Sequence, residues 1–92
     1  MRESERSAEF VSFTRAHRGD LVRTAALLCA GDEAFAEDVV QTTLTRLYLS
    51  WSRVRRADSP LAYARRSLTH AFMASDRTGW HLVPLSGSVM AT

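Results

Sequence analysis

The chain has 92 residues, 46% of them hydrophobic and 24% charged, with four glycines and two prolines; this composition supports one small core and argues against a second domain, disorder or a collagen-like repeat. One cysteine and three histidines exclude an internal disulfide and offer no evident tetrahedral site, so we expect no metal and no cofactor. The formal net charge is +2, and the longest apolar run, Ala25 to Ala30, is too short to cross a bilayer, so we expect a cytoplasmic protein.

The first predicted helix covers about Phe10 to Leu28, where apolar residues recur at the three- and four-residue steps of an amphipathic helix. Gly19 lies inside this segment, so we expect a kink or break near residues 17–20. Gly31 should end the helix, and Asp32 can cap the next one.

The second predicted helix runs from about Glu33 to Trp51 and has the strongest periodicity in the chain. Its apolar stripe consists of Ala36, Val40, Leu44, Leu47 and Trp51, widened by Phe35 and Val39. The opposite face is polar and should remain free to bind a partner. That face carries Asp38, Gln41, Thr42, Thr45 and Arg46, with Glu37 near its edge.

A connecting loop is predicted at residues 52–58, followed by a third helix that begins at Ser59, a hydroxyl N-cap, and Pro60. Its inward stripe is predicted to contain Leu61, Ala64, Leu68, Ala71 and Phe72, and another face to contain Arg66, His70, Met73 and Arg77. The helix should fade near Gly79. We therefore expect one helical domain at residues 1–79 and a non-helical tail at residues 80–92, since helical periodicity is lost from Trp80 onward.

Charge is divided unevenly along the chain. Residues 1–51 contain six arginines and eight acids, a net charge of −2, whereas residues 52–79 contain six arginines and two acids, a net charge of +4. This division suggests two different partner surfaces, and the basic segment is the better candidate for contact with phosphates.

Most of the chain, about Phe10 to Arg77, contains LVRTAALLCAGDEAFAEDVVQTTLTRLYLSW followed by SPLAYARRSLTHAFMASDR. Its centre is the A-E-D-V-V-Q element at Ala36 to Gln41, which follows a Gly-Asp turn. In this order the fragments resemble region 2 of the extracytoplasmic-function sigma factors of bacterial RNA polymerase, in particular the SigE-like actinobacterial type. The resemblance implies an all-α fold, a small bundle of three or four helices.

In that family the acidic face of the A-E-D-x-x-Q helix meets the clamp helices of the largest polymerase subunit. The resemblance thus implies core-polymerase contacts from Glu37, Asp38 and Gln41, with Arg46 as a rim contact. Two carboxylates and an amide facing away from the core suit a cationic partner. Alternatively, the two carboxylates only favour the start of the helix through its dipole.

The loop after the second helix and the exposed face of the third helix are implied to bind the single-stranded minus-ten region of promoter DNA. Arginines that can neutralise phosphates there are Arg53, Arg55, Arg56, Arg65, Arg66 and Arg77. By analogy, Tyr63, Thr69 and His70 line the surface that holds flipped bases. Strand opening is then driven by binding, without bond chemistry. A merely solvated basic face is the alternative, and Tyr48, Trp51 and Phe72 are expected at the core or its edge.

A complete factor continues into region 4, a helix-turn-helix domain that reads the minus-thirty-five element, and we expect that domain to be absent because the chain ends at Thr92. An isolated domain, a truncated or frameshifted product, and a small natural protein all remain open. Two other functions compete: a decoy that binds polymerase or an anti-sigma factor without initiating transcription, and a helical reader of duplex DNA. An enzyme is not expected, since no nucleophile–base pair or phosphate-binding glycine loop is evident.

Overall fold

The computed structural model describes residues 1–75. These residues form four helices and no strand: α1 Glu3–Leu28, α2 Glu33–Leu49, α3 Trp51–Val54 and α4 Pro60–Met73. The predicted all-α fold is therefore confirmed. The predictions made for Arg77 and for a tail at residues 80–92 lie outside the described residues. Within the described part of the chain, no helix combines the length and the apolar character needed to cross a membrane.

Helix α1 is a single helix of 26 residues, so of the kink or break predicted near Gly19, the break is wrong. Glycine in a helix interior costs about 1 kcal/mol relative to alanine. That cost is offset because Leu21 and Ala25, in the turns that follow, are both fully buried where α1 packs on α2 and α4. The helix also begins at Glu3, two turns before the predicted start at Phe10.

The turn between α1 and α2 agrees with the prediction. Ala30 and Gly31 both have left-handed backbone angles, with φ of 53° and 86°. Their amides donate to the carbonyls of Leu27 and Ala26, the bonding pattern of a Schellman C-cap. The side chain of Asp32 then accepts a hydrogen bond from the Phe35 amide at 3.1 Å, which caps the start of α2.

Helix α2 ends at Leu49, so the prediction of one helix to Trp51 is wrong. Ser50, with φ of −109° and ψ of 20°, leaves the helical conformation, and its carbonyl accepts from the amides that open α3. The new helix occupies part of the predicted loop and brings Trp51 and Val54 into the core.

Helix α4 begins as predicted, because the Ser59 hydroxyl accepts a hydrogen bond from the Ala62 amide at 3.1 Å and Pro60 occupies the first turn. It ends at Met73, six residues before the predicted end at Gly79. The Ser75 hydroxyl donates to the Phe72 carbonyl at 2.8 Å. This side-chain bond satisfies one of the carbonyls that a helix end leaves without a partner.

The core lies where α1, α2 and α4 meet, with α3 packed beneath α2 and α4. The predicted apolar stripe of α2 is buried, and so are Ala64, Leu68 and Ala71 of α4, while Leu61 and Phe72 pack against the core from its edge. Thr43 is fully buried as well, and its hydroxyl donates to the Val39 carbonyl at 2.7 Å. Aromatic rings close one end of the core, with Trp51 in edge contact with Phe10 at 5.7 Å.

Replacement of Leu68 by alanine tests this packing. Leu68 is 0% exposed, so Leu68→Ala should lower the free energy of unfolding by about 2–5 kcal/mol through lost burial and the cavity left behind. Urea denaturation followed by circular dichroism measures the change. Leu27→Ala is the matched control, because Leu27 is 84% exposed and its loss should change stability by less than about 0.5 kcal/mol. Equal effects of the two substitutions would contradict the assigned core.

Candidate functional site

The polar face of α2 is directed to solvent. Glu37, Asp38, Gln41 and Arg46 are all exposed, whereas Val40 and Leu47 on the opposite side are 2% and 1% exposed. Residues three or four positions apart lie on the same face of a helix. Burial of the face with Val40 and Leu47 therefore directs the opposite face of α2 to solvent. The predicted polymerase-binding residues thus all lie on the exposed half of α2.

These side chains keep their bonding groups free. Within residues 1–75, no hydrogen bond or ion pair to another protein group is found for the side chains of Glu37, Asp38, Gln41 and Arg46. Carboxylates and guanidinium groups form strong charge-assisted hydrogen bonds when a partner of opposite charge is present. The face is therefore available for contacts with a second molecule.

Two shallow grooves border this face. A cavity of about 360 Å³ between α2 and α4 has Asp38, Thr42 and Arg46 on its α2 side and Ala71 and Ser75 on its α4 side. A cavity of about 380 Å³ between α1 and α2 is bordered by Glu37, with Val22 and Ala26 of α1. The exposed polar side of α2 therefore has a groove along each edge. We call this side, which carries Glu37, Asp38, Gln41 and Arg46, the α2 ridge.

Within residues 1–75, the predicted DNA-binding residues lie on α3, on α4 and in the turn between them. Arg53, Arg56, Arg66 and His70 are exposed, and Arg56 donates from Nε to the Ser52 carbonyl at 2.9 Å. Tyr63 and Thr69 are half-buried. Tyr63 packs against the core, and the Thr69 hydroxyl donates to the Arg65 carbonyl at 3.1 Å.

Arg55 forms a two-point ion pair with Glu9 of α1. Its Nε donates to Oε1 at 2.8 Å and its Nη2 to Oε2 at 3.0 Å. The Trp51 indole nitrogen donates to the same Oε1 at 3.0 Å. These bonds lower the pKa of Glu9, with the Arg55 hydrogen bond as the largest cause and the Trp51 hydrogen bond next. Glu9 thus ties the start of α1 to α3.

Arg65 forms a second pair of the same kind with Asp20. Its Nε donates to Oδ1 at 2.9 Å and its Nη2 to Oδ2 at 2.6 Å. The hydrogen bond from Arg65 is the main reason that the pKa of Asp20 is lowered, and the charges of Arg65, Arg23 and His17 act in the same direction. Asp20 thus ties the middle of α1 to α4.

Sequence reasoning missed Glu9 and Asp20. Each lies 45 or 46 residues from its arginine, and no local spacing rule relates side chains so far apart. Their position also shows that the acidic and basic parts of the sequence do not form wholly separate surfaces, because α1 places two acids beside the segment with a net charge of +4. Two of the arginines predicted to neutralise phosphates are already neutralised by carboxylates.

Tyr48 is held by the first turns of α1. Its hydroxyl donates to Glu3, its carbonyl accepts from Arg6, and the Arg6 guanidinium lies 5.0 Å from the centre of its ring. Phe10 contacts the same ring edge-on at 5.2 Å. These contacts agree with the interpretation of Tyr48 as a core-edge residue and not a platform for bases.

The sequence model of the family described as Sigma-70 region 2 matches residues 13–78. The match begins within α1 and includes the α2 ridge and both Asp20 and Arg65. No curated protein and no solved structure matches the chain. Among residues 1–75, no cluster of His, Cys, Asp and Glu side chains suits a metal ion.

The two ion pairs predict a loss of stability in acid. The pKa values of Glu9 and Asp20 are lowered from their ordinary values of 4.5 and 3.8. A carboxyl whose pKa is lower in the folded state stabilises the fold fully above its ordinary value, and this contribution is lost as the pH falls through the lowered value. Melting temperatures from circular dichroism should therefore fall more steeply below about pH 4.5 for the natural chain than for Glu9→Gln combined with Asp20→Asn.

The groups that face these two carboxyls determine whether stability rises or falls in acid. Arg55 and Trp51 face Glu9, and Arg65, Arg23 and His17 face Asp20. Arg55 and Arg65, whose pKa values are raised by their carboxylate partners, keep their protons in this range, so each carboxyl keeps its cationic partner as the pH falls. Parallel pH profiles for the natural chain and the double variant would contradict a stabilising role for the pairs.

Proposed function

Because this chain belongs to the sigma-70 region 2 family, we propose that it is the region 2 domain of an extracytoplasmic-function sigma factor of the SigE-like type. Domains of this family take part in binding core RNA polymerase and in recognising the minus-ten promoter element, and they are non-catalytic. The observation that carries the proposal for this chain is the α2 ridge, whose charged side chains are exposed and free while the other face of α2 is buried.

The α2 ridge is proposed as the docking surface for the clamp helices of the polymerase. Glu37 and Asp38 supply negative charge, Gln41 supplies an amide, and Arg46 stands at the end of the same face. A pair of partner helices could seat side chains in the grooves on both sides of the ridge, in the way that helix ridges pack into grooves. Charge complementarity would set the orientation of the complex and the rate at which it forms.

Single-stranded DNA of the minus-ten region is proposed to bind along α3 and α4. The exposed cations of this surface are Arg53, Arg55, Arg56, Arg65 and Arg66, and Arg77 would extend it. His70 is exposed in the last turn of α4, and Tyr63 and Thr69 of the same helix are half-buried. Holding flipped bases at about 1–3 kcal/mol each would offset the few kcal/mol that flipping costs. Strand opening would follow from binding alone.

Charge reversal on the α2 ridge tests the docking surface. Asp38→Arg combined with Gln41→Ala should weaken binding of purified core RNA polymerase by about tenfold or more, because an attraction becomes a like-charge repulsion. Pull-down and fluorescence anisotropy with the labelled 92-residue chain measure this. Asp58→Arg makes the same charge change at an exposed position outside the ridge and should leave polymerase binding unchanged. Undiminished binding of the Asp38 variant would remove this assignment.

Salt dependence tests the DNA surface. Arg53→Ala and Arg66→Ala each remove one exposed cation from it, and each should make the slope of log K against log salt concentration less steep by about 0.7 on single-stranded DNA. Binding of a fluorescein-labelled oligonucleotide across a sodium chloride series gives the slope. Arg15→Ala, on the exposed side of α1, is the control for a lost charge elsewhere. If all three variants had the same slope, the DNA surface would lie elsewhere.

A further inference from the structure

Glu9 and Asp20 compete with DNA for two of the arginines on the proposed DNA surface. We propose that these carboxylates take the place of phosphates in the free protein, holding Arg55 and Arg65 until DNA displaces them. They are therefore positioning residues that set the strength and the salt dependence of DNA binding. This inference rests on the proposed binding of single-stranded DNA to α3 and α4.

The geometry of the pairs is that of phosphate recognition. Both arginines donate from Nε and Nη2 to the two oxygens of one carboxylate, at distances between 2.6 and 3.0 Å. Guanidinium uses this same two-point arrangement for carboxylates and phosphates. An arginine paired in this way cannot present the same edge to DNA, so binding through that edge requires the carboxylate to leave.

The two carboxylates share one side of α1. Glu9 and Asp20 are 11 residues apart, which places them three turns and about 16 Å from each other along the helix. Both of their partners come from the segment after Trp51, where the exposed arginines are concentrated. Helix α1 thus places two negative charges, those of Glu9 and Asp20, at the edge of the surface proposed to bind DNA.

The pairs are accessible enough to exchange. Side-chain exposure is 40% for both Arg55 and Glu9, and 50% for Arg65 with 26% for Asp20. Solvent-exposed ion pairs contribute little free energy, whereas phosphate contacts gain from the release of counterions. Glu9 also keeps its hydrogen bond from Trp51 when Arg55 leaves, so the carboxylate retains a partner after exchange.

Removal of each carboxylate with its shape preserved is the test. In the 92-residue chain, Glu9→Gln leaves an amide oxygen that can still accept from Trp51, and Asp20→Asn is the corresponding change at the second pair. Each variant should bind a fluorescein-labelled single-stranded oligonucleotide several-fold more tightly at low salt. The slope of log K against log salt should become steeper, by no more than about 0.7 for each freed arginine.

Asp58→Asn is the matched control, because it removes one exposed negative charge from the same basic segment, and no ion pair of Asp58 is found within residues 1–75. A general effect of charge would raise affinity equally in all three variants and would overturn the inference. A second check uses Arg55→Gln as background, where Glu9→Gln should bring no gain because the arginine it frees is absent. A gain that persists there would also overturn it.

Other outcomes separate this inference from the proposed function. If the natural chain binds the oligonucleotide and neither Glu9→Gln nor Asp20→Asn binds more tightly, the inference falls and the proposed function stands. If neither the natural chain nor any variant binds, DNA binding itself is wrong. Far-UV circular dichroism verifies that each variant remains helical, and if one of them unfolds, the other decides the question.

Discussion

The rotation of α2 about its own axis is the constraint on which the surfaces of this molecule depend. Val40, Leu47 and the neighbouring buried residues of that helix lie against α1 and α4, and burial of one such side chain is worth about 1.5–3 kcal/mol. Small domains are stable by only about 5–15 kcal/mol in total. Rotation of α2 to bury Asp38 would expose several of these side chains and cost more free energy than the total stability of the fold. The carboxylates of the α2 ridge therefore stay in solvent.

Helix α1 has a second role besides closing the core. Leu21 and Ala25 are buried against the other helices, while Glu9 and Asp20 reach across to arginines on the far part of the chain. The acidic first half and the basic second half of the sequence therefore meet in space along α1. The carboxylates of the α2 ridge stay free, whereas Glu9 and Asp20 balance part of the basic surface within the molecule, an arrangement that suits two partners of opposite charge.

Local features could be predicted from the sequence, since their causes are local. The cap at Asp32, the start of α4 at Ser59 and Pro60, and the buried stripe of α2 all follow from the chemistry of a few adjacent residues. Helix ends at Leu49 and Met73 could not be predicted, nor could the unbroken path through Gly19, because tertiary packing decides them. Glu9 and Asp20 escaped prediction for the same reason: their partners come from the opposite half of the chain.

The contacts of the first turns of α1 bear on where this domain begins. The family match starts at residue 13, yet Arg6 and Phe10 cover the ring of Tyr48, and Glu9 accepts from the indole of Trp51. A protein trimmed to the family boundary would lose that cover and expose more of the Tyr48 and Trp51 rings to water. The folding unit is thus larger than the segment that defines the family, and its extra turns complete the hydrophobic interior.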